Sequence, residues 1–416
     1  MFKHYKPFLK YPRCTGVAFK GGMVSTSNTK EVKQMNIKKI GIVGILLLAI
    51  MIPVALSASN ASDGGTGTIT KIATLPVPTL TNTLDKKITT SMFIGDTWDS
   101  SVKQFDANTG KFLGTFVASG TNGLDAPMGL LFSGKNLFVV NQNVGLPIAG
   151  EIFRFNRNTG TFLNKLVASD NPEAPFAPRG IITDQKEDMI YVADVGTAQG
   201  NCSNEGRIEK FNILNGKFVD NLSRSGFTKE FHPRGIVFGP DDKLYVSAIG
   251  CPIRTDPKYN NLTGYILRFD PKKQRFVDIF ASSDTISDLH RPEGLVFDND
   301  GNLWVASFRA DSSDSDKILK FNRKGVITDK IILAPPEANG GERAYAQDIL
   351  FGPKGDLFVP ISGGSLNTTG QVRRYNINTK KYDIIVPSNN TGGQLQAPYY
   401  MTFDKTNPST LAFAKN

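Results

Sequence analysis

Ile318-Leu319-Lys320-Phe321-Asn322 is one of six copies of a short pattern: an apolar residue, two variable positions, Phe or Tyr, then Asn or Asp. The other copies end at Phe105-Asp106, Phe155-Asn156, Phe211-Asn212, Phe269-Asp270 and Tyr375-Asn376. Their aromatic positions lie 50, 56, 58, 52 and 54 residues apart, the period of a four-stranded propeller blade rather than of a helical solenoid. One copy per blade gives six blades.

Ahead of each copy after the first stands a Pro-x-Gly start, an apolar run, a polar turn and a second apolar run. The clearest example is Pro292-Glu293-Gly294-Leu295-Val296-Phe297, turning through Asp298–Asn302 into Leu303-Trp304-Val305-Ala306-Ser307. Others start at Pro127, Pro178 and Pro233, with degenerate versions at Ala346-Gln347-Asp348 and Pro398-Tyr399-Tyr400. These runs are too short and too rich in β-branched and aromatic residues for helices, and turn residues bound them on both sides. They read as the two inner strands, the aromatic copy as the third, and segments such as Lys111–Val117, Phe162–Val167 and Arg275–Phe280 as the outer strand.

A lone four-stranded sheet leaves two bare edges and too little buried face, so the blades must pack into a ring. The first, Met92–Val117, lacks a Pro-x-Gly strand, whereas the last period supplies a spare one at Pro398–Asp404. Pairing them closes an all-β, six-bladed propeller with both ends of the domain in one blade. Thr410–Ala414 resembles a further strand, which keeps seven blades open, with Thr68–Leu75 as a recruit.

Forty Gly and 23 Pro suit a turn-dense β domain, assigned to residues 88–416. Residues 1–39 hold nine Lys/Arg against Glu31, so 8 of the +10 net charge lie in that segment. The +2 left for the remainder argues against a dedicated nucleic-acid surface. Residues 40–58 carry no charge and are long enough to insert in a bilayer, and 59–87 read as a linker. Residues 40–58 form either an uncleaved signal anchor or, with a start at Met35, the apolar core of a cleaved signal peptide. Both place the propeller outside the cytoplasm, secreted or membrane-attached.

Cys202 and Cys251, one blade period apart and each following a second strand, suit a disulfide in an oxidising compartment. Asn-x-Ser/Thr sites at Asn60, Asn201, Asn221, Asn261, Asn367 and Asn389 fit external glycosylation.

The x of each Pro-x-Gly, or its equivalent, should face the mouth of the central channel: Met128, Arg179, Arg234, Glu293, Gln347 and Tyr399. With these residues the chain resembles two related groups of six-bladed propellers over residues 92–416. Pro178-Arg179-Gly180 and Pro233-Arg234-Gly235 look like NHL repeats. Pro292-Glu293-Gly294 through Asp300-Gly301-Asn302-Leu303-Trp304-Val305-Ala306 looks like the senescence marker protein and gluconolactonase group. That second resemblance implies a divalent cation held by Glu, Asn and Asp at the channel positions, with lactone or phosphoester hydrolysis. Here the channel positions offer Glu293 and Gln347 opposite two guanidinium groups, a poor shell for calcium. Some NHL propellers are zinc lyases using several His, whereas this domain has His232 and His290, both ahead of a Pro near the same mouth; with Glu293 they are the weak metal candidates.

Arg179 and Arg234 suit a carboxylate or phosphate, so the expected ligand is an anionic small molecule, an acidic peptide or an unknown protein partner, with no cofactor and no assigned catalytic residue. The competing expectation is that Glu293 neutralises one Arg across the channel. Asp298-Asn299-Asp300-Gly301 reads as a hairpin turn, Asp311, Asp314 and Asp316 as a solvated loop, and Trp98 and Trp304 as packing or rim aromatics. The favoured reading is an extracytoplasmic binding or scaffold module; the alternative is a metal-dependent lactonase, hydrolase or lyase.

Overall fold

The computed structural model describes residues 90–143, 146–196, 204–251, 263–362 and 370–414. Each repeat copy does two jobs there. Its aromatic ring fills the core: Phe105, Phe155, Phe211, Phe269, Phe321 and Tyr375 are all at most 1% exposed. Its Asn or Asp accepts backbone N–H groups of the following turn, as Asn156 Oδ1 does from Asn158 (2.9 Å) and Thr159 (3.1 Å) and Asn376 Oδ1 from Asn378 (3.1 Å) and Thr379 (2.9 Å). The side chain therefore closes the hairpin to the outer strand. In five blades an aromatic seven residues later pairs with the first across that hairpin, with ring centroids 4.9–5.8 Å apart. Truncating one inner ring to Ala costs about 3–5 kcal/mol.

The strands form six antiparallel sheets, one per blade, in a closed ring. From inner to outer strand, blade 1 comprises Pro398–Phe403, Ser91–Asp96, Ser101–Asp106 and Phe112–Val117. Blades 2 to 5 follow in chain order with inner strands Pro127–Ser133, Pro178–Thr183, His232–Phe238 and Pro292–Phe297. Blade 6 has a broken inner strand, Tyr345–Ala346 and Leu350–Phe351, both paired to Leu357–Ser362. Closure follows the expected pairing of the two segments, with Met92 opposite Phe403, Phe93 opposite Thr402 and Ile94 opposite Met401. It removes two free edges.

No seventh blade forms among the described residues. Thr406–Phe413 instead makes a short hairpin, bridged at its ends, that lies across the end of the channel away from the mouth. Thr183 N donates to Pro408 O (2.9 Å), Phe238 N to Ser409 O (3.1 Å) and Ser409 Oγ to Asp184 O (2.7 Å). Leu411 takes a left-handed φ of 55° at its tip and packs against three of the core clusters. The apolar run that resembled a strand is a plug.

Thr68–Leu75, the apolar run 40–58 and the rest of residues 1–89 lie outside the described residues, as do Cys202, Asn60, Asn201, Asn261 and Asn367. Among the described residues no helix is long and apolar enough to cross a membrane. Cys251 is fully buried and disulfide-bonded, and its partner lies outside the described residues.

Candidate functional site

The inner strands carry a shared irregularity. In blades 2 to 5 the pairing between the first two strands shifts register across the x-Gly step, as between Pro178 and Ile181, and blade 1 does the same between Pro398 and Met401. A bulge there re-aims the x side chain away from the sheet and towards the axis. The glycine after it lets the next blade come close. A Cβ on Gly129 would lie 2.4 Å from Arg179 O, one on Gly180 2.9 Å from Arg234 O, and one on Gly235 2.6 Å from Glu293 O. Blade 6 has Asp348 in the glycine slot and blade 1 has Tyr400.

These placements bring four of the expected residues together. Arg179 Nη1 donates to Gln347 Oε1 across the channel. Arg234 Nη1 lies 3.7 Å from Glu293 Oε1, with both side chains at most 10% exposed. The anticipated ion pair therefore exists, and it engages one guanidinium of the two. Burial disfavours charge on Arg179, but the carboxylate of Glu293 and the phenols of Tyr400 and Tyr399 outweigh it and raise its pKa. Arg179 Nε and Glu293 Oε2 are buried without a hydrogen-bond partner among the described residues.

Asp348 and Tyr400 were not among the expected site residues, and both line the channel. Asp348 Oδ2 accepts from Met401 N (3.0 Å) and Oδ1 from Ile349 N (2.9 Å). Burial nevertheless pushes its pKa up to about 7. Tyr400 is 4% exposed, and burial, more than the nearby Glu293 and Asp348 carboxylates, drives its phenol well above the usual range. The signal for both was their position: each occupies a slot that is Gly in the other blades, so a side chain there must enter the axis.

Met128 is 1% exposed in an apolar cluster with Ile181 and Tyr400, which puts it in the core rather than in the open mouth. Tyr399 is half-buried at the rim. His232 is 1% exposed, its Nδ1 bonded to Val195 O (2.8 Å), and burial lowers its pKa. His290 sits in the loop before Pro292, its backbone N–H bonded to Ser307 Oγ (2.9 Å). Among the described residues no three His, Cys, Asp or Glu side chains are grouped to hold a metal ion.

The acidic stretches serve structure. Asp298 accepts from Asn302 N (2.8 Å) and Trp304 Nε1 (3.0 Å) in a hairpin turn, which makes Trp304 a core residue. Asp316 binds Arg343 through two hydrogen bonds of 2.7 and 2.8 Å, and Asp314 binds Lys317 at 2.6 Å. Trp98 is 57% exposed.

Below the mouth the channel narrows to a cavity of ≈ 30 Å³ lined by the four blade glycines, Asp348, Tyr400 and Leu411. That is room for about two water molecules. A larger ligand has to sit at the mouth, against Arg179, Arg234, Glu293 and Gln347.

No family model and no curated protein matches the chain. Solved structures do. A protein of unknown function from Bacteroides caccae is 10% identical with a TM-score of 0.51, over 76% of this chain and 98% of that one. The PQQ-bound aldose sugar dehydrogenase of Streptomyces coelicolor is 17% identical, with a TM-score of 0.42 over 63% and 80%. A luciferin-regenerating enzyme is 12% identical, with a TM-score of 0.46 over 79% and 91%. At such identities the likeness concerns the fold alone.

Proposed function

We propose that the propeller is an extracytoplasmic binding module that takes a small organic anion, a carboxylate or phosphate, at the Arg-lined channel mouth. The observation that carries this reading is the imbalance of the buried charges. Two guanidinium groups from adjacent blades face one glutamate carboxyl group, with Gln347 as a neutral acceptor, and polar atoms of Arg179 and Glu293 have no hydrogen-bond partner among the described residues. Buried polar atoms in that state mark a place where a further hydrogen-bonding group belongs. An anion would complete the shell of Arg179, and a hydroxyl or amine on the same ligand would serve Glu293 Oε2. The buried disulfide at Cys251 and the charge-free run at 40–58 support the compartment.

The alternative, a metal-dependent lactonase, hydrolase or lyase of the gluconolactonase or NHL type, draws on Glu293 and Asp348 as carboxylates on one channel. Arg234 already engages Glu293, and a cation there would meet two guanidinium groups. Calorimetric titration with a panel of small carboxylates and phosphates, with and without calcium, tests the two readings. Metal-independent binding in the micromolar range is the expected result. Binding or lactone turnover that requires calcium overturns it.

A further inference from the structure

The hairpins between third and outer strands all lie on the face opposite the mouth, because each blade starts its inner strand at the mouth and then alternates direction. Their sequences are Ala107–Lys111, Arg157–Thr161, Ile213–Lys217, Pro271–Gln274, Asn322–Val326 and Asn376–Lys381. Together they carry nine Lys/Arg, against the two carboxylates Asp106 and Asp270 that end the third strand just ahead of two of them. All nine are exposed except Arg157, which is half-buried. Among the described residues Lys380 is the one of them that pairs with a carboxylate, Asp329. Nearer the axis the turns on the same face are acidic overall, with Lys135, Lys186, Lys243 and Lys354 against Asp184, Glu187, Asp188, Asp241, Asp242, Asp298, Asp300 and Asp356. The excess positive charge therefore lies at the rim, one or two cations per blade around a more acidic inner ring, on a domain whose overall charge is close to neutral.

A second, independent observation concerns where the chain enters the domain. Thr90 O accepts the backbone N–H of Ala107 (2.9 Å), in the first of those hairpins, and Asp404 N donates to Ser91 O (3.1 Å). Residues 1–89, including the charge-free run 40–58, thus join the propeller on the cationic face.

We infer that this face docks on an anionic lipid surface, with the mouth turned away from it. A single weak attachment seldom holds a protein to a bilayer, and a basic patch beside an apolar anchor is an effective pair. The nine cations supply the attraction, each acting within about one Debye length. Docking this way leaves the channel mouth facing away from the membrane, so the inference is compatible with the proposed ligand site without depending on it.

The test uses the full chain carrying Leu46→Asp and Leu48→Asp, so that the apolar run no longer inserts; the basic segment 1–39 is common to every variant, so the propeller face is read from the difference between variants. Co-sedimentation is measured with vesicles of phosphatidylcholine containing about 30% phosphatidylglycerol, and with phosphatidylcholine alone. Binding to the anionic vesicles at about 50 mM salt, lost at about 500 mM, is expected. Changing Lys111, Lys217, Lys272, Lys273, Lys324 and Lys381 to Glu should weaken it at least about tenfold. A milder Lys272→Glu/Lys273→Glu variant should weaken it in the same direction, should the sixfold change impair folding. Arg179→Met/Arg234→Met should leave it unchanged, which separates this surface from the mouth. Equal binding of the charge-reversed protein, equal binding to neutral vesicles, or capture of duplex DNA in place of vesicles overturns the inference.

Discussion

Two arcs of the same ring solve the problem of close packing differently. From blade 2 to blade 5 the inner strands meet backbone to backbone, and Gly129, Gly180, Gly235 and Gly294 supply the absence of a side chain. Across blades 6 and 1 the equivalent slots hold Asp348 and Tyr400, whose side chains fill the axis. The glycine arc carries architecture and has no chemistry of its own below the mouth. The other arc places a carboxylic acid and a phenol, both with raised pKa values, beneath Arg179 and Arg234. Polarity at the axis has thus been added where geometry allows a departure from glycine, and the broken inner strand of blade 6 accompanies it.

The sharpest way to break the comparison is to give the glycine arc a side chain. Gly129→Ala puts a Cβ 2.4 Å from Arg179 O and 2.9 Å from Ile181 Cγ2, neither of which can yield without moving the next blade. Thermal or denaturant unfolding should show a loss of about 3 kcal/mol or more. A loss below about 0.5 kcal/mol would mean that the blades are not locked there.

The titrating arc makes the opposite kind of prediction. The folded protein holds the Asp348 proton up to about pH 7, whereas the unfolded chain releases it near the ordinary aspartate value of 3.8. The native state then binds more protons, so stability falls as the pH rises from about 4 to about 7. Asp348→Asn should flatten that part of the profile. On the other arc, Glu209 in the third strand of blade 3, pushed up to about 9 chiefly by burial and also by Asp194, acts in the same direction over a higher range, and Glu209→Gln should flatten the span up to about pH 9. Unchanged slopes in the two variants would refute the assignment.

A smaller effect is expected at the plug. Leu411 is half-buried and fills the channel floor, so Leu411→Ala should cost about 1–2 kcal/mol in unfolding experiments and leave ligand binding at the mouth unaltered. Loss of binding would show that the two ends of the channel communicate.

The ring was legible in the sequence because one short device recurs: an aromatic that must be buried, followed by an Asn or Asp that must close a turn. Ring closure was legible too, since a blade lacking its inner strand implies a spare strand elsewhere. Long-range details were harder to read. Thr410–Ala414 has the composition of a strand, and only its hydrogen bonds to Thr183 and Phe238, far away in sequence, make it a plug. At the site, Pro-x-Gly located Arg179, Arg234 and Glu293 because the bulge after Pro recurs in each of blades 2 to 5, and the degenerate copy Ala346-Gln347-Asp348 located Gln347 by its equivalent position. It also named Met128, which the same geometry leaves in the core, since burial depends on what the neighbouring Tyr400 brings. A further regularity was available in the sequence. The second strand ends in Asp96, Asn141, Asp194 or Ser307, whose side chains accept the backbone N–H of Ala397, Asp125, Ala177 and His290 ahead of the inner strands. Those contacts tie four of the six mouth loops to their blades and help fix where the x residue emerges.

The central claim is that the guanidinium pair at the mouth holds an anion and that Glu293 competes with it. The most direct measurement is the affinity of one small anion, inorganic phosphate, for the native protein, for Glu293→Gln and for Arg179→Met/Arg234→Met. The predicted order is tightest for Glu293→Gln, about tenfold above native, with binding by the double variant at least about a hundredfold weaker than native. Equal affinity in all three proteins, with each shown to be folded, would contradict the account.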